Sequence, residues 1–350
     1  MTHNRTGPSS SPHPIDGTEE LISRLIEQAG GSPHAEFLGE MIHSALRLVR
    51  NQTSRGDIKI LNSALRELTY AFRVFAPYRG IRKVTIFGSA RLPEGSPEYR
   101  QAADFARMIS AQGWMVITGA GPGIMKAGQD GAGRERSFGV NIRLPFEQGA
   151  NEVILNDPKL VTFRYFFTRK LVFVKETDAI ALFPGGFGTM DEAFETLTLL
   201  QTGKSALLPL VCVDRVGDDH WRSWDAYVRT TLLSRGLIAP EDLALYRVTD
   251  RLDEAVDEIL TFYRNYHSSR YVGNRLVIRL HHAPTAEAIR RMEEEFRDIL
   301  TEGGLSMSPA LPEETEESAL ADLPRLTLSF NRRNFGRLRQ LIDALNRLEK

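Results

Sequence analysis

The stretch DAIALFPGGFGTMDEAFE, residues 178–195, contains a short apolar run, a glycine turn and the start of a helical pattern. Residues 179–183 are enough for one buried strand and too few for a helix. Pro184, Gly185 and Gly186 break the run, and Gly188 follows. From Met190, Ala193, Phe194, Leu197 and Leu200 fall on one side of a helix. The reading is strand, glycine turn, helix N-terminus. Such a junction presents unpartnered backbone N–H groups and the positive end of the peptide dipoles, and glycines let an anion approach them closely. A tight strand-to-helix turn with no ligand has the same pattern. The spacing is neither G-x-x-x-x-G-K-[ST] nor G-x-G-x-x-G, so the usual nucleotide fingerprints do not apply.

Working outward, further strands are expected at 84–87, 114–118, 138–142 and 208–213, with helices at about 96–112, from 124, at 163–175 and at 190–202. Uniformly apolar strands alternating with helices predict a doubly wound parallel sheet, α/β in class, whose ligands sit beyond the carboxyl ends of the strands. Three turns converge there: 88–91, 119–123 and 185–189. Upstream, residues 1–16 are rich in Ser, Pro, His and Gly and are expected to be a disordered tail. Three helical patterns within 17–79 form an appended extension, for packing on the next domain or on a second subunit. The α/β domain is expected over 80–265, closed by helices near 221–235 and 252–264, with 265–273 as a linker. A βαββα pattern then predicts a small α+β domain, ferredoxin-like or ACT-like, over 270–350.

With 350 residues, 42% hydrophobic and 25% charged, the chain is of ordinary globular composition and long enough for a sizeable core. A formal net charge of −1 supplies no field for nucleic acid or an anionic membrane. The one cysteine, Cys212, lies in an apolar run and reads as a buried, inert thiol. No apolar segment is long enough for a membrane helix and residues 1–16 lack a signal-peptide core, so a cytoplasmic location is expected. His281 and His282 are adjacent rather than at metal-ligand spacing, and no G-x-S-x-G elbow occurs. No metal or other cofactor is expected.

Near the glycine turn, Thr189-x-x-Glu192 fits a capping box, which would satisfy orphan amides at a helix start. The same Glu192 at a ligand-bearing strand end can orient water or bind a sugar hydroxyl. Asp191 reads as a dipole partner. Arg169 and Lys170 lie in the otherwise aromatic and aliphatic FRYFFTRKLVFV, where each either meets an anion or lays its stem along apolar surface with its head in water. Ser89 and Arg91 stand at the first strand end. Gly121 and Gly123 belong to a glycine turn that is weak on its own.

Together these residues resemble the LOG (Lonely Guy) family of phosphoribohydrolases, once widely mislabelled lysine decarboxylases. PGGFGTMDE (184–192) is similar to the PGG-x-GT-x-x-E signature, and FFTRK, with Arg169-Lys170, to the family's other signature at the expected separation. FGSAR (87–91) and TGAGPGIM (118–125) resemble its first two glycine turns, with Ala120 where a glycine normally stands. The resemblance covers residues 81–264. It implies hydrolysis of the N-glycosidic bond of a nucleoside 5′-monophosphate, AMP or a cytokinin riboside 5′-monophosphate, to free base and ribose 5-phosphate. It implies Glu192 and Arg169 as the catalytic pair. Phosphate and substrate would be bound by Gly185, Gly186, Phe187, Gly188, Thr189, Lys170, Glu147, Ser89, Gly121 and Gly123. It also implies a homodimer or higher homo-oligomer. No lysine sits in a recognisable pyridoxal-phosphate setting. The alternative is a nucleotide-binding or sensing protein with little or no catalysis.

Overall fold

The computed structural model describes residues 17–144, 149–314 and 318–348; the expected tail, 1–16, lies outside them. By internal contacts the chain divides into two units, 1–66 and 67–350. The first holds α1 (Thr18–Gln28), α2 (Ala35–Arg50) and the start of α3 (Arg55–Phe75). Ile22 of α1 is buried, and Gly39 of α2 approaches it closely enough that a Cβ there would be 3.8 Å from Ile22 Cγ2.

The second unit contains two sheets. The first is built from β1 (Lys83–Phe87), α4 (Pro97–Ala111), β2 (Met115–Thr118), α5 (Ile124–Ala132), β3 (Ser137–Ile142), β4 (Leu160–Phe163), α6 (Phe166–Glu176), β5 (Ala179–Leu182), α7 (Phe187–Gln201), β6 (Leu210–Val213), α8 (His220–Tyr227), β7 (Arg247–Thr249) and α9 (Leu252–Phe262). Its seven strands are all parallel, in the order β4-β3-β2-β1-β5-β6-β7. This is the expected doubly wound, Rossmann-like sheet. Alternate residues explain the two covered faces. Val84, Ile86, Ala179 and Ala181 point to one core with α4 and α9, while Phe87, Ile180 and Leu182 point to another with α6 and α7. Cys212 is fully buried on β6, and burial pushes its thiol pKa up.

The second sheet comprises β8 (Tyr266–Val272), β9 (Arg275–Leu280), β10 (Leu300–Ser308) and β11 (Arg325–Phe330), antiparallel in the order β10-β11-β9-β8, with α10 (Ala286–Glu295) and α11 (Phe335–Arg347). The small α+β region is therefore present, but it opens with a hairpin. The stretch read as a linker is mostly β8, an edge strand whose polar Ser268, Ser269 and Arg270 hid the pattern. β4 and β7, also absent from the sequence reading, are short edge strands of the parallel sheet.

The chain runs outward from β1 through β2, β3 and β4, then returns to β5 on the other side of β1. The strand order reverses between β1 and β5. There the flanking connections diverge and leave a crevice at the carboxyl ends.

Candidate active site

Two turns are tied together across this crevice. Phe183 N–H donates to the Phe87 carbonyl (2.8 Å), and Ser89 N–H donates to the Pro184 carbonyl (3.0 Å). The Ser89 carbonyl in turn accepts from Ile124 N–H at the start of α5 (3.0 Å). Gly123 makes this approach possible: its φ is +64°, and a Cβ would run into the Ser89 carbonyl. The Ser89 hydroxyl accepts from Arg91 N–H (3.1 Å).

α7 begins at Phe187, earlier than the helical spacing predicts, with Gly186 at the N-cap position and no side-chain cap. The expected capping box between Thr189 and Glu192 does not form. Thr189 is already the third helical residue, and its side chain packs over Gly185, where a Cβ would collide with it. Glycine at the cap position has no side chain to offer, so no capping group satisfies the first-turn amides of Phe187, Gly188 and Thr189. They open onto a cleft of about 840 Å³ bordered by Ser89, Arg91, Met125, Phe166, Arg169, residues 185–189 and Glu192. Phe187 is 97% exposed at its mouth.

Glu192 projects from the second turn of α7 and is 7% exposed. Burial pushes its carboxyl up from 4.5 to about 7, against the opposing pull of the Lys170 and Arg169 charges. Arg169, on α6, donates Nε–H to the Val140 carbonyl at 2.9 Å, and its guanidinium lies 5.1 Å from the Phe173 ring centroid. Lys170 is 2.8 Å from Asp191, contacts Glu195 and lies 3.9 Å from Glu192 Oε1. Burial alone would lower the Lys170 pKa, but its hydrogen bonds to Asp191 and Glu195 hold it above the ordinary value.

Of the predicted site residues, the cleft thus collects Ser89, Arg169, Gly185, Gly186, Phe187, Gly188, Thr189 and Glu192. Lys170 borders a separate groove of about 720 Å³ and reaches Glu192 through its ammonium. Gly121 and Gly123 support the cleft from behind: a Cβ on Gly121 would be 2.7 Å from Met125 Cε, and Gly123 packs on Ser89. Glu147 lies outside the described residues. His220, which the sequence reading did not single out, accepts the Gly185 N–H through Nε2 at 3.4 Å. A lone histidine in DDHWRSW carries no spacing that would reveal this. Among the described residues, no group of three or more His, Cys, Asp or Glu is arranged to hold a metal, and no helix is long and apolar enough to cross a membrane.

An uncapped helix N-terminus, a buried carboxyl with a pKa pushed up to about 7 and a permanent cation thus lie together at the switch point of a Rossmann-like parallel sheet, an arrangement able to hold an anionic group next to an acid–base residue. Residues 122–259 match the family model described as "possible lysine decarboxylase". The chain is also 27% identical over 164 residues to the cytokinin riboside 5′-monophosphate phosphoribohydrolase of Mycobacterium tuberculosis, covering 44% of this chain and 81% of that protein. The family-model match lies within the parallel-sheet part of the chain, from the start of α5 into α9. Similar solved structures include the molybdenum cofactor binding protein of Rippkaea orientalis (16% identity, TM-score 0.37, 52% of this chain and 95% of that one). The molybdenum cofactor carrier protein of Chlamydomonas reinhardtii is another (15% identity, TM-score 0.35, 51% and 98%).

Proposed function

We propose that this protein is a hydrolase that cleaves the N-glycosidic bond of a nucleoside 5′-monophosphate, releasing free base and ribose 5-phosphate. The observation that carries the reading is Glu192: a buried carboxyl near pKa 7, on the same helix as the uncapped amides and in the same cleft. Five residues, ~7.5 Å of helix rise, separate Phe187 from Glu192, and a helical side chain leans back toward the N-terminus, which leaves a span on the scale of a ribose between its phosphate and its anomeric carbon.

In this reading the amides of residues 187–189, with the Thr189 and Ser89 hydroxyls, hold the 5′-phosphate and fix the ribose by binding energy remote from the reacting bond. Cleavage builds positive charge at the anomeric carbon, much as in glycoside hydrolysis. Glu192 as carboxylate stabilises that charge and takes a proton from the attacking water, a task suited to a pKa close to the working pH. Arg169 stays charged at any accessible pH, so it acts on the phosphate or on Glu192 as a cation and not as an acid. AMP and a cytokinin riboside 5′-monophosphate are the substrates we favour, the second by analogy with the M. tuberculosis relative. The exposed Phe166, Phe167 and Leu171 on α6 support a homo-oligomer; action in the cytoplasm, without nucleic acid or membrane, is part of the same proposal.

The test is release of base and ribose 5-phosphate across the common 5′-monophosphates and a prenylated AMP, with Glu192→Gln alongside. Wild type turns over at least one of them, and the variant keeps its fold but loses about 10²-fold or more of the rate. A folded Glu192→Gln protein with full activity overturns the role of Glu192. Nucleotide-induced thermal stabilisation with no base released favours sensing instead.

A further inference from the structure

Glu67 lies on α3 and reaches the entrance of α6. Its Oε1 accepts Arg164 N–H at 3.0 Å, and its Oε2 accepts the Thr168 hydroxyl at 2.6 Å. Tyr165, at the N-cap position of α6, makes no side-chain cap. A carboxylate from another helix therefore holds the residue before the N-cap and a first-turn hydroxyl together, and its charge opposes the α6 dipole. A second tie lies along the same pair of helices, with the Lys175 ammonium 4.9 Å from the Phe72 ring centroid. Thr168 is fully buried, and the next residue is Arg169. At the far end of that side chain, Nε is fixed to the Val140 carbonyl.

From this geometry we infer that Glu67 is a positioning residue: through Thr168 it sets the first turn of α6, and so the approach of the Arg169 guanidinium to Glu192. The inference rests on Arg169 and Glu192 forming the catalytic pair. It goes beyond that pair by assigning a working role to a side chain of the helix that precedes the α/β domain. The bonds from Arg164 and Thr168 anchor one side of the first turn of α6, while the Val140 carbonyl anchors the arginine head. Without the first anchor, the turn can rotate and carry the guanidinium with it.

A residue that merely held the fold together would not move the titration of Glu192. Four charged groups act on that carboxyl: Arg169 and Lys170 from α6, Asp191 and Glu195 from α7. Retreat of Arg169 removes one of the two cations that favour the carboxylate, so the Glu192 midpoint rises. The test uses the full chain with Glu67→Ala, Glu67→Gln and Thr168→Val. Carboxyl ¹³C NMR of glutamate-labelled protein follows the Glu192 midpoint, its signal assigned by its absence from the Glu192→Gln spectrum. The pH profile of base release is measured in parallel.

In folded variants the Glu192 midpoint and the acid limb of kcat/KM move upward together, by about half a unit or more. kcat falls about tenfold, since small displacements of a catalytic group are costly. Glu67→Ala and Thr168→Val together do no more than Glu67→Ala alone, because the first change already removes the bond that the second would break. If Glu67→Ala does not fold, Glu67→Gln and Thr168→Val decide, as each leaves the other partner in place. Folded variants with a wild-type midpoint and profile overturn the inference. A wild-type protein that releases no base from any nucleotide overturns the catalytic reading instead. An NMR shift would still establish the link from Glu67 to Arg169.

Discussion

The Glu192 carboxyl titrates near 7 in the fold, against 4.5 without it. Because the folded-state pKa is raised, the neutral side chain fits the site freely below about pH 4.5. Stability is then lost as pH rises through 7, approaching about 3 kcal/mol at full ionisation from ~1.4 kcal/mol per unit. Glu192→Gln should therefore be more stable than wild type at pH 8, by about 3 kcal/mol, and melt together with it at pH 4. Thermal melts at the two values check this. The wild-type rate should fall on the acid side with a midpoint near pH 7, seen in kcat/KM against pH. Neighbouring backbone positions matter as much. A Cβ on Gly119 would be 2.5 Å from Arg169 Nη2 and 2.6 Å from Met125 Sδ. Gly119→Ala should thus displace the arginine and cost about 10²-fold in kcat with ~1–3 kcal/mol of stability. Ala120, where the family places glycine, keeps the left-handed backbone at φ +61°. Ala120→Gly should raise stability by up to about 1 kcal/mol, read from denaturant midpoints.

The decisive element is the start of α7. Its glycine turn was legible in PGGFGT, and so was the strand before it, because apolar runs and glycines report local geometry directly. The register of the helix start was not legible. Thr189-x-x-Glu192 offered a capping box, but Gly186 took the cap position and drew Thr189 into the first turn, over Gly185. Two compatible starts separated by three residues look alike in one sequence, and the earlier one lets the Thr189 side chain pack over Gly185. Gly185→Ala should push Thr189 away and reopen that choice, raising KM for the nucleotide tenfold or more with a smaller change in kcat. Steady-state kinetics separate the two. The edge strands β4, β7 and β8 were missed for a related reason. They are short or half-exposed, and pairing with a neighbour rather than apolar periodicity defines them. Arg169 and Glu192 could be named from motif spacing, whereas the contacts of His220 with Gly185 and of Glu67 with Arg164 and Thr168 arise only through folding.

Across residues 67–350 the two sheets share one apolar core. Leu200, Leu208 and Leu210 of the α/β part belong to the same buried cluster as Leu276, Phe335, Leu338 and Leu341. The Asn346 side-chain oxygen accepts N–H from both Asn265 and Tyr266 at 2.8 Å, and Arg339 pairs with Glu258. The sequence boundary near 265 therefore marks a change of architecture and not a separable core. Leu341→Ala should destabilise the whole of this unit by about 2–5 kcal/mol and lower a single melting transition, checked by following tryptophan fluorescence and far-UV signals together.

The seclusion of Cys212 on β6 has a practical consequence. Within these 350 residues it is the only sulfhydryl, and maleimide reagents cannot reach it while the protein is native. A fluorophore attached through a cysteine introduced at Phe187 would then report from the mouth of the cleft alone, with no background from the rest of the chain.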